Sequence, residues 1–216
     1  MEIDILYIIV VISVILVSMT LHEVMHGFVA YLLGDDTAKA QGRLTLNPIR
    51  HIDPFLTIIL PVFLAIVGAP VFGGARPVPF NPARVKYDEW GAALVAIAGP
   101  LTNLLIAFIV FGIGVVSGVV TTAGVEASFI GLLVQTTVMV NLGFFIFNII
   151  PFPPLDGSRV LYALAPDFVR RGMEVIERFG VLFVFVIVFF ASSSVGVLIS
   201  AGVSFFIGLF TGIFGL

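Results

Sequence analysis

The sequence predicts an all-α polytopic membrane protein, and three observations carry that prediction. Of its 216 residues, 60% are hydrophobic, and the mean hydropathy is +1.21, more apolar surface than a soluble core uses. Apolar stretches close to or beyond the ~20 residues that a helix needs to cross a bilayer recur along the whole length. No long polar segment separates them, so residues 1–216 read as a single membrane domain.

The elements follow in order. Residues 5–33 are rich in Ile and Val and predict a transmembrane helix. It is too long for the apolar region of a signal peptide and lacks a basic segment before it, so it is expected to be retained. Residues 34–54 turn polar, with Gly34-Asp35-Asp36, Gly42, Asn47-Pro48 and Asp53-Pro54 as breakers, and predict a loop with room for a hairpin. Residues 55–70 are apolar but short and contain Pro61, and residues 71–90 carry Gly73, Gly74, Pro77 and Pro79. A re-entrant element followed by extended chain is expected there. Residues 91–117 and 128–150 predict a transmembrane hairpin, the second helix ended by Pro151, Pro153 and Pro154. Residues 167–179 predict a short surface helix, and 181–214 either one kinked span or two short ones. Gly112, Gly114 and Gly118 form a small-residue run suited to close helix packing.

All ten basic residues fall in three segments: Lys39, Arg43 and Arg50; Arg76, Arg84 and Lys86; Arg159, Arg170, Arg171 and Arg178. The positive-inside rule puts these on the cytoplasmic side and the 118–128 loop outside. They form no tract of the kind that nucleic-acid binding uses, and the net charge is only -3. With no cysteine, thiolate metal sites and disulfides are excluded, so a metal would be held by His, carboxylate or water.

Two of the three histidines flank a glutamate in His22-Glu23-Val24-Met25-His26. On a helix His22 and His26 lie about 40° apart and one turn from each other, so both imidazoles reach one ion. Glu23 falls in the same arc, placed to contact a water without being a ligand, as a general base requires. The pattern arises by chance in about one such chain in a thousand. A carboxylate and two imidazoles within an apolar helix are also costly unless they serve a site. Catalytic zinc takes three protein ligands, and the candidates for the third are Asp156, beside Gly157 after the proline-ended helix, and His51. The residues favour Asp156 without excluding His51. A membrane metal transporter, with His22, Glu23, His26 and Asp156 lining a cation path, is the second class that these residues allow.

The chain resembles the site-2 protease family of intramembrane zinc metalloproteases. The resemblance is carried by His22-Glu23-Val24-Met25-His26, by Gly99-Pro100-Leu101-Thr102-Asn103, and by Asn148-Ile149-Ile150-Pro151-Phe152-Pro153-Pro154-Leu155-Asp156-Gly157. It implies one Zn2+ held by His22, His26 and Asp156, and Glu23 as the catalytic residue that activates water. For Asn103 and Asn148 it implies substrate binding or oxyanion stabilisation; as polar groups in apolar helices, both are also candidates for interhelical hydrogen bonding, Asn148 more than Asn103. The segment from Gly42 to Pro54 resembles the compact bacterial and archaeal branch and implies a re-entrant hairpin. The spacer between Asn148 and Leu155 is longer than the family's simplest form, and the chain has room for neither a PDZ nor a CBS domain. The implied substrates are transmembrane proteins, cut in a bacterial or archaeal plasma membrane by a site near its cytoplasmic face.

Overall fold

The computed structural model describes residues 5–59, 63, 74–180 and 192–216. Four of its helices are long and apolar enough to cross a membrane: α1 (Ile5–Leu32), α3 (Asp88–Val116), α4 (Phe129–Asn148) and α7 (Ser192–Phe214). The shortest, α4, has 20 residues, about 30 Å at the helical rise and so the thickness of the hydrocarbon core. Among the described residues three short α-helices lie between them: α2 (Thr37–Ala40), α5 (Gly157–Leu164) and α6 (Asp167–Phe179). A two-residue ribbon, β1 (Val120–Thr121) antiparallel to β2 (Gly124–Val125), closes the α3–α4 hairpin.

Helix α3 is the centre of the bundle, packed on α1, α4, α5 and α7. Lipid offers no hydrophobic drive for helix association, so backbones must approach closely for dispersion to hold them. At Gly112 an added Cβ would stand 2.6 Å from Phe214 Cζ, at Gly202 2.8 Å from Ile146 Cδ1, and at Gly114 2.8 Å from Val120 Cγ2. Gly118 serves differently: with φ +77 it follows the Ser117 cap and ends α3 in the left-handed conformation that favours glycine. Leu142, Phe145 and Ile146 of α4 join Ala107 and Phe111 of α3 and Phe210 of α7 in the largest apolar cluster. Ile5, Leu6, Ile9, Ile12 and Val17 on α1 are exposed, as a lipid-facing stripe requires.

The hairpin helix starts at Asp88, three residues before the expected 91, with Tyr87 at φ 71 turning the chain into it. Pro100 stays inside α3 rather than ending it; its missing N–H leaves the Ala96 carbonyl without its ordinary helical donor. Helix α5 was not expected, because the prolines before it signal irregular chain and its eight residues are too few for a periodic pattern. Residues 54–59 form a π-helical turn, and the rest of the expected re-entrant element lies mainly outside the described residues. In the last stretch 192–214 is one helix, and 181–191 lies outside the described residues.

Candidate metal centre

Helix α1 keeps its polar groups out of lipid, as polar side chains in a membrane helix require: Ser18, Thr20 and His22 are all buried. Thr20 satisfies itself on the Leu16 carbonyl at 2.7 Å. His22 and His26 meet Asp156, whose Oδ2 lies 3.1 Å from His22 Nε2 and 3.4 Å from His26 Nε2. The structure thus joins three residues that are 134 positions apart in the chain at their extremes. The two rings stand nearly perpendicular, at 83°, with centroids 4.6 Å apart.

Which nitrogen of each ring carries the proton follows from its outer partner. His26 Nδ1 lies 2.8 Å from the Val95 carbonyl, which only accepts, so Nδ1 donates and Nε2 is the nitrogen turned to Asp156 and open to a metal. For His22 the logic runs through two amides. Asn141 donates its Nδ2 to the Thr137 carbonyl at 2.8 Å, and to Ser18 Oγ at 2.8 Å, which leaves its Oδ1 to accept. Asn103 Nδ2 donates to that oxygen at 2.9 Å, so Asn103 Oδ1 accepts from His22 Nδ1 at 2.6 Å. His22 therefore donates through Nδ1 and turns its Nε2 to Asp156.

These donors fit a metal ion. A tetrahedral zinc with N and O ligands at about 2.0–2.1 Å separates neighbouring ligand atoms by about 3.3–3.4 Å. The two His–Asp distances, 3.1 and 3.4 Å, bracket that edge. Room is kept by Gly99, whose added Cβ would fall 2.6 Å from His22 Nε2 and closer still to His26 Nε2. Gly157 makes the matching allowance on the other side: a Cβ there would collide with the Ile149 carbonyl, where the chain doubles back to bring in Asp156. Asp156 sits at the N-cap position of α5 yet makes no capping bond, its carboxylate turned to the imidazoles instead. Its side chain keeps 23% of its exposure against 8% and 11% for His22 and His26, so the cluster is reached from the Asp156 side.

Glu23 also lies within reach, its carboxylate grouped with the two imidazoles inside 4.8 Å. One oxygen is engaged elsewhere: Oε2 accepts from the Val78 backbone N–H at 2.8 Å. Asp156, with one oxygen at ligand-edge distance from both Nε2 atoms, is the better third donor of the two carboxylates. His51 stands apart, fully buried in the loop, with Nε2 donating to the Thr45 carbonyl at 2.8 Å. Asn148 turns back on its own helix, donating to the Phe144 carbonyl at 3.0 Å. Asn103 is fully buried with both amide atoms engaged, which makes it a holder of His22 rather than a group facing substrate. Sequence reasoning passed over Asn141 and Ser18; the available signal was a fully apolar run interrupted by an amide.

A His-Glu-x-x-His motif on a helix long and apolar enough to cross a membrane, met by an aspartate from a distant turn, is the arrangement of a metallohydrolase. The chain belongs to peptidase family M50, the site-2 protease family, whose model matches residues 10–192, and it is a metalloprotease. It is 42% identical over 204 residues to "Putative zinc metalloprotease YwhC" of Bacillus subtilis, covering 92% of this chain and 90% of that protein. The Rip2 proteins of Mycolicibacterium smegmatis and Mycobacterium tuberculosis, described in the same words, are 30% and 31% identical over 180 and 182 residues. Each alignment covers 80% of this chain but only 63% of the longer relative. No solved structure matches the chain.

Proposed function

We propose that the protein is an intramembrane zinc metalloprotease that hydrolyses peptide bonds of transmembrane protein substrates, with one Zn2+ per chain held by His22, His26 and Asp156. The observation that carries this reading is the convergence of the two imidazole Nε2 atoms on one Asp156 oxygen at 3.1 and 3.4 Å. When bound, zinc supplies Lewis acidity, lowering the pKa of a water and polarising the scissile carbonyl. Glu23 then takes the proton of the attacking water and passes it to the leaving amine. Asn103 and the Val95 carbonyl keep the imidazoles in register.

The substrate class follows from where the cluster lies. It is built on helices long enough to span the bilayer, so the bonds within its reach belong to chains in or at the membrane. Such a chain must surrender helical hydrogen bonds before its carbonyl is exposed to attack.

The test combines zinc analysis with cleavage of a membrane substrate in detergent. Glu23→Gln is expected to retain about one zinc per chain and lose cleavage by about 10²–10⁴-fold, the usual worth of a general base. Asp156→Ala is expected to lose most of the zinc and His51→Ala to keep it. Zinc lost from the Glu23 variant, or kept in the Asp156 variant, overturns the assignment.

A further inference from the structure

Residues 74–81 run as extended chain beside α1 and are held at five points. Thr57 Oγ1 donates to the Gly74 carbonyl at 2.6 Å, the Arg76 N–H to the His51 carbonyl at 2.8 Å, and the Asn81 N–H to Asp35 Oδ2 at 2.6 Å. The other two points meet on the Pro77–Val78 peptide, which Arg43 reaches while also holding the preceding carbonyl. Arg43 Nη2 donates to the Arg76 carbonyl at 2.7 Å and to the Pro77 carbonyl at 3.3 Å. The N–H of that same Pro77–Val78 peptide donates to Glu23 Oε2 at 2.8 Å. Val78 lies between Pro77 and Pro79, neither of which has an N–H, so the peptide at Val78 supplies the one backbone donor among residues 77–79.

Arg43 itself is nine-tenths buried, with 7% of its surface exposed. Among the described residues no carboxylate lies within ion-pair distance of it, although the Glu23 carboxylate attracts its charge, and its Nε meets no hydrogen-bond partner. A buried cation without an ion pair is a poor way to stabilise a fold. Its position on the carbonyl end of the peptide whose N–H holds Glu23 gives it another use: a donor at the carbonyl polarises the amide and strengthens the bond at its N–H. Gly27, one turn from Glu23, permits the approach, since an added Cβ there would stand 2.9 Å from Val78 Cγ1.

We propose that Arg43 is a positioning residue for Glu23, acting through the Pro77–Val78 peptide that it holds by the carbonyl and that holds Glu23 by the N–H. This rests on the reading of Glu23 as general base. Arg43 fixes the extended segment, the segment fixes one carboxylate oxygen, and the other is left for the water proton.

The experiment uses the full chain in detergent, with steady-state cleavage, zinc content and thermal midpoint measured on each variant. Arg43→Gln is expected to lower kcat about 10- to 100-fold, as misplacing a reacting group does, with KM within about threefold and zinc unchanged. Arg43→Lys should recover part of the loss. Val78→Pro, which deletes the N–H within an already extended Pro-Pro context, should reproduce it, and the double variant should be no slower than the worse single one. Arg84→Gln, which removes a charge from the exposed pair with Asp36, should leave kcat unchanged. The proposal is overturned if Arg43→Gln leaves kcat intact, if its loss multiplies with that of Val78→Pro, or if KM rather than kcat carries the change. Should Arg43→Gln not fold, Val78→Pro decides: unchanged kcat rejects the relay. Failure of the underlying reading shows separately, as zinc lost from Glu23→Gln.

Discussion

His22 faces Asp156 through its Nε2 because Asn103, Asn141 and the Thr137 carbonyl form a one-way chain of donors that leaves its Nδ1 only the role of donor. In lipid no water replaces a lost partner, so each member of the chain depends on the next. Asn141→Leu should therefore weaken zinc binding about 10- to 100-fold, the usual worth of an outer partner of a metal ligand, although Asn141 touches no donor to the ion. Titration of the apo protein with zinc against a competing chelator measures this; an unchanged affinity would mean that His22 holds its tautomer without the amides. A polar residue in an apolar run was legible as something needing a partner, as Asn103 and Asn148 were. Which of the helical asparagines faces α1 was not legible, since rotation of α3 and α4 about their axes is decided by packing.

Among the elements, α3 carries the most constrained surface, because Gly99 presents bare backbone to both imidazoles. Gly99→Ala should remove an order of magnitude or more of zinc affinity while leaving the helical content intact, since Ala suits a helix interior better than Gly by about 1 kcal/mol. Circular dichroism with zinc analysis checks this, and full zinc occupancy would show that the helices can part enough to admit a methyl group. The link from α1 into the extended segment rests on Asp35, which is fully buried. Its carboxyl accepts from the Thr37 hydroxyl and from the backbone N–H groups of Thr37 and Asn81. Burial alone would raise its pKa, but these bonds, the Thr37 hydroxyl first, hold it below the ordinary 3.8. A carboxyl depressed in the folded state stabilises above the unfolded pKa and loses that contribution as pH falls through the folded value. Asp35→Asn should thus cost about 1–3 kcal/mol at pH 7, a gap from the parent that narrows below about pH 4. Thermal midpoints of both proteins from pH 7 to pH 3 test it, and a gap independent of pH would mean that Asp35 acts by shape alone.

Across the molecule, contacts tie the basic segments to one end of the bundle: Arg84 pairs with Asp36 at 2.8 Å, and Arg170 lies 3.6 Å from Glu89. The β1–β2 ribbon closes the opposite end of α3. His26 is six residues from the end of α1, about 9 Å along the axis, so the metal centre lies nearer the basic end. Charge bias assigns that end to the cytoplasm. In a chain with no native cysteine, single cysteines at Lys39, Arg84 and Arg171 should label from inside and one at Thr122 from outside. Labelling at 84 from outside would place a full crossing between residues 54 and 84.

The sequence by itself determined the class of this protein. Span lengths, the His22-Glu23-x-x-His26 spacing and the Asp156-Gly157 turn are local quantities, set by helical rise, periodicity and the conformational limits of proline and glycine. The long helices were legible for that reason. Tertiary structure alone decided that Asp156 meets His22 while His51 stands apart, that Asn103 accepts from His22, and that Arg43 reaches the peptide that holds Glu23. These depend on how helices rotate and how extended chain threads beside them, and such contacts between residues far apart in the chain leave no periodic trace in it.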